Sequence, residues 1–153
     1  EVLDGVWISH FHGDHFFGGR AQLDLWLTWH DYGNAPLMIL LCYILVGHPS
    51  WQKAEIRIFA AVPEDKAAEE TARLEEMVAT GRIPVSARNL IILPTDADAS
   101  FTELVHEHSA RADLVMLGFT IDRLRDKGVE LLQRHPGLGD VLFVLARRPL
   151  HID

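Results

Sequence analysis

Two hydrophobic rhythms alternate along most of this chain. "LDLWLTW" (residues 23–29) places an apolar side chain at every second position, which is the period of a strand. "APLMILLCYILV" (35–46) comes next; apolar nearly all round, it predicts a helix covered on most sides. Asn34 stands where a helix N-cap belongs, and Pro36 is tolerated in the first turn that follows. "AEIRIFAAV" (54–62) is the second strand. "PEDKAAEETARLEEMVATGR" (63–82) is an amphipathic helix whose Ala67, Thr71, Leu74 and Val78 share one face. Its acidic start suits the helix dipole, and Gly81 is placed to end it.

The second half repeats the alternation. "NLIILP" (89–94) is a short, continuously apolar third strand. Ser100 and Glu103 form a capping box ahead of a short helix to about Ser109. "ADLVMLGF" (112–119) is a fourth buried strand. Ile121, Leu124, Leu131 and Leu132 mark another helix, closed by "HPGLG" (135–139), and "DVLFVLA" (140–146) is the fifth strand.

Five strands joined by four helices require a parallel sheet with helices on both faces. Right-handed crossovers with a helix on each side favour the strand order 3-2-1-4-5. The expected fold class is therefore α/β, a three-layer Rossmann-like sandwich formed by residues 21–153. Residues 1–20 form an N-terminal extension, of which residues 1–8 can add at most an extra strand. In such a fold a ligand sits at the switch point, beyond the carboxyl ends of the first and fourth strands. Asp31, Gly33 and Asn34 on one side, with Gly118 and Thr120 on the other, are the candidate ligand-binding residues. "HDYGNAP" has a single glycine and no phosphate-cradling pattern, so a turn with a helix cap is the plainer reading there.

Charge and composition narrow the partners. The chain of 153 residues carries a net charge of −8, with 14 Lys and Arg and no basic cluster. That excludes nucleic acid, or an anionic membrane surface, as a main partner. The single cysteine, Cys42, rules out an internal disulfide and lies in an apolar run, as a core residue would. The longest apolar run has twelve residues against the roughly 20 a bilayer requires. The chain opens on Glu1 with no signal-like segment, so the expectation is a piece of something longer.

Four stretches, taken in order, resemble the cytosolic C-terminal domain of the cation-chloride cotransporters. They are "LDLWLTWHDYGNAPLMILLCYIL", "WQKAEIRIFAA", "SARADLVMLGF" and "GLGDVLFVLARR", spanning residues 23–147. The resemblance implies a universal-stress-protein-like α/β domain, soluble when isolated, at the cytoplasmic face of the membrane. It would hang below the transmembrane transport domain of its own parent chain, contribute homodimer contacts and regulate transport. It implies no catalysis and no cofactor. Where nucleotide-binding stress proteins carry a glycine-rich loop after the fourth strand, this chain has "GFTIDRLRDKG", so ATP binding does not carry over.

The opening residues resemble something else. "DGVWISHFHGDHFFGG" (4–19) is similar to the metal motif of the metallo-β-lactamase superfamily. Two histidines two apart on a loop can turn their imidazoles to one zinc at about 2.0–2.1 Å, and a metal-bound hydroxide then becomes the nucleophile. By that match His10 and His12 would serve a first metal, and Asp14 and His15 a second. The alternative function is accordingly a zinc-dependent hydrolase, or a fragment of one. Against it, the superfamily completes its site with ligands from distant loops, and after Gly19 this chain continues into "RAQLDLWLTW", a strand rather than a helix. The other histidines have plainer roles. On a helix, His106 and His108 point roughly 200° apart. His135, before Pro136, is expected to be a cation facing a helix carboxyl end.

Overall fold

The structure, a computed structural model, describes residues 5–9, 22–28, 33–80, 85–96 and 99–146. Six strands form one sheet: β1 (Gly5–Ser9), β2 (Gln22–Thr28), β3 (Glu55–Pro63), β4 (Leu90–Thr95), β5 (Leu114–Gly118) and β6 (Asp140–Leu145). Their spatial order is β1-β6-β5-β2-β3-β4. The five strands β2 to β6 are all parallel and stand in the order expected from the alternation of strands and helices. β1 is the extra strand: it runs antiparallel to β6, with Gly5 opposite Leu145 and Ser9 opposite Val141. It thus covers one edge of β6, an edge that would otherwise present unpaired backbone groups.

β2 lies at the centre, and all its residues from Leu23 to Thr28 are buried. Its alternation divides the core in two. Leu23, Leu25 and Leu27 pack with Ile56, Ile58 and Met116 beneath α1 (Ala35–Val46) and α2 (Ala67–Ala79). Trp26 joins Phe59, Val115, Leu117 and Phe143 on the opposite face, under α3 (Phe101–Ser109) and α5 (Glu130–Gln133). The Trp26 ring stacks on Phe59 at 4.5 Å, and its Nε1 donates to the Ser109 hydroxyl at 2.9 Å. One polar pair interrupts this second face: Asp24, fully buried, holds Arg57 of the neighbouring strand.

Local chemistry explains most boundaries. Ser100 caps α3, its hydroxyl accepting from Glu103 N at 3.4 Å. The long second helix begins as a 3-10 turn, Glu64–Lys66, before α2. The helix expected after the fourth strand is two: α4 (Ile121–Lys127) stops at Gly128, whose φ of +59° suits only a glycine, and α5 restarts at Glu130.

α1 departs from its expected cover. Ala35, Met38, Ile39 and Cys42 are buried against the sheet, at helical spacing. Leu40, Tyr43 and Ile44, on its other side, remain 42%, 39% and 61% exposed. A helix in the outer layer of a three-layer sandwich has a sheet on one side only. The apolar residues in excess of one stripe, Leu40 and Ile44 among them, therefore reach solvent. No helix among the described residues is long and apolar enough to cross a membrane.

Candidate functional site

The switch point falls where it was expected, between the carboxyl ends of β2 and β5, which pair directly. Asn34 is the side chain that occupies it. Although it holds the N-cap position of α1, its backbone is already helical and its side chain makes no capping bond. Instead Nδ2 donates to the Phe119 carbonyl at 2.8 Å, and Oδ1 accepts from Ala146 N at 2.7 Å. A 4% exposed carboxamide thereby ties the start of α1 to the ends of β5 and β6.

The remaining candidates have equally local duties. Thr120 caps α4, its hydroxyl accepting from Arg123 N at 3.3 Å. Gly118 pairs with Val144 in the sheet. A Cβ built on Gly33 would meet nothing within 4 Å, so no close backbone approach requires glycine there. The structure brings Asn34, Gly118 and Thr120 together, but as a structural clasp. Asp31 lies outside the described residues.

The metal quartet, His10, His12, Asp14 and His15, also lies outside the described residues. Its described neighbours, Ser9 and Gln22, sit at the end of the sheet where the parallel strands begin, opposite the switch point. Among the described residues, no three His, Cys, Asp or Glu side chains gather as a metal site would need. Cys42 is 1% exposed, and burial pushes its thiol up to about 12, so it is an inert core residue.

A cleft of about 250 Å3 opens beside the clasp, on the α3 face of the sheet. Its wall includes Phe101 and Thr102 of α3, Gly118 at the end of β5, Arg123 of α4, and Arg134 and His135 after α5. His135 is 6% exposed, and its Nδ1 has no hydrogen-bond partner among the described residues. Its ring stacks on His106 at 5.7 Å and leans on Phe143 at 6.2 Å. Burial, with smaller contributions from His106 and Arg134, pulls its pKa down to about 4. The expected surface cation is thus a buried neutral imidazole: "HPGLG" folds back under α5, with Leu138 in the core, instead of ending in solvent. The cleft was missed in the sequence because its residues come from four separate segments, none with a recognisable motif.

Neither the scan against protein-family models nor the search of the curated proteins returns a match for this chain.

Proposed function

We propose that this chain is a non-catalytic regulatory and dimerisation domain of a cation-chloride-cotransporter-like membrane transporter, working at the cytoplasmic face. The resemblance of four ordered stretches supports the transporter context, and the strand order agrees with the α/β domain that the resemblance implies. At the switch point both ends of the Asn34 carboxamide are committed to the backbone, as a structural role requires.

The observation that carries the reading is the outward strip of α1. Leu40, Tyr43 and Ile44 are exposed on a helix without one charged residue along its twelve positions. Its occupant is a second copy of the chain. Two molecules each carrying a net −8 repel across most approaches, and an uncharged apolar strip is where that repulsion is weakest and apolar burial greatest. Three side chains make the centre of an interface rather than its whole, which places the dimer in the weak, transient class when the domain is isolated.

Sedimentation velocity across a range of protein concentrations tests this. The wild-type chain should show a reversible monomer–dimer equilibrium, and Ile44→Glu should hold it monomeric with an unchanged circular dichroism spectrum. A monomer at every concentration, or a dimer indifferent to Ile44→Glu, would overturn the reading.

A further inference from the structure

The cleft beside α3 brings together several features that suit a small anion. Arg123 and Arg134 line it, and no acid stands among its described lining residues, within a chain of net charge −8. Arg134, exposed at this concave place, brings a positive charge into an otherwise negative chain. The first turn of α3, a helix of nine residues, adds to it. Ser100 satisfies Glu103 N with its hydroxyl and Leu104 N with its carbonyl. The amides of Phe101 and Thr102, both residues of the cleft wall, belong to the first-turn donors that have no intrahelical acceptor.

His135 is a separate observation that points the same way. It is buried in the wall of the cleft, yet its Nδ1 has no partner among the described residues. Buried ring nitrogens are nearly always hydrogen-bonded, and an exception beside a cleft marks a place for a ligand's polar atom. The rest of the wall is apolar, chiefly Phe101, Leu131 and Phe143. The volume lies just below the range of about 300–1,000 Å3 typical for drug-sized ligands.

We propose that this cleft binds a small organic anion: a carboxylate or phosphate headgroup on a compact apolar body. Arg134 and the first turn of α3 answer the charge, His135 supplies a hydrogen bond, and Phe101 and Phe143 flank the body. The site is independent of the α1 strip, which lies on the opposite face of the sheet.

The test is a nuclear magnetic resonance titration of the 15N-labelled chain with benzoate, phenyl phosphate and, as a cationic control, benzylamine. Saturable shifts of the Phe101 and Thr102 amides and of the His135 ring nitrogens are expected with at least one of the two anions and not with benzylamine. The tighter of the two anions identifies the headgroup. Arg134→Gln, at an exposed position, should weaken binding about tenfold, the loss of one charge-assisted contact. Arg125→Gln, outside the cleft, should leave it unchanged. No saturable shift with either anion, an equal response to benzylamine, or undiminished affinity in a folded Arg134→Gln variant would overturn the proposal. The wild-type titration alone decides the matter if that variant does not fold.

Discussion

Arg57 of β3 grips Asp24 of the neighbouring β2, its Nε and one terminal nitrogen lying 2.9 and 2.6 Å from the two carboxylate oxygens. The same terminal nitrogen donates to the His108 carbonyl at 2.9 Å, so the pair also anchors the last turn of α3 to the sheet. Asp24 is completely buried. The Asp24 carboxylate, by its hydrogen bonds, holds the Arg57 guanidinium above its ordinary value. Removing the cation alone should therefore be expensive. Arg57→Met is expected to destabilise the fold by about 3–5 kcal/mol, because it strands a buried carboxylate. The double variant Asp24→Leu with Arg57→Met should recover most of that loss, as apolar replacement of a buried pair often does. Urea denaturation of the three variants checks both statements.

Asn34 is the second polar clasp. Asn34→Leu keeps the approximate size but leaves the Phe119 carbonyl and the Ala146 amide without their partner. An unsatisfied buried group costs about 1–3 kcal/mol, so a loss of roughly 2–4 kcal/mol is expected. Hydrogen exchange should accelerate first at Ala146, whose amide depends on Asn34 directly.

His135 imposes a pH dependence with a definite sign. Its folded-state pKa, about 4, lies below the ordinary histidine value, so the unfolded chain binds the proton more readily. The stabilisation is complete above about pH 6.5 and fades as pH falls from there through about 4. Roughly 2 kcal/mol should be lost over that window, less than full linkage would give because water in the cleft screens the charge. His135→Phe should flatten the histidine part of the stability profile between pH 7 and 4, measured by denaturation at a series of pH values.

Much of this architecture was legible because parallel strands buried on both faces appear as unbroken apolar runs: "ADLVMLGF" and "DVLFVLA" need no tertiary information. What escaped was whatever depends on side chains meeting across the sheet. Asn34 was expected to cap α1, since Asn before a helix usually does; its carboxamide instead answers backbone groups 85 and 112 residues away. Nor does any local pattern announce that Gly128 divides one helix into two, or that His135 turns inward to form the wall of a cleft. The exposed apolar residues of α1 were hidden for another reason. A helix apolar all round looks the same in sequence whether its second face meets its own chain or another.

That face carries the central claim, and cysteine cross-linking tests it most directly. In a Cys42→Ala background, Leu40→Cys, Tyr43→Cys and Ile44→Cys should each give disulfide-linked dimers on mild oxidation. Val129→Cys, more accessible than any of the three at 68% exposure but on the other face of the sheet, should give few. Equal cross-linking at Val129, or none at the three α1 positions, would contradict the assignment of α1 as the surface where two copies meet.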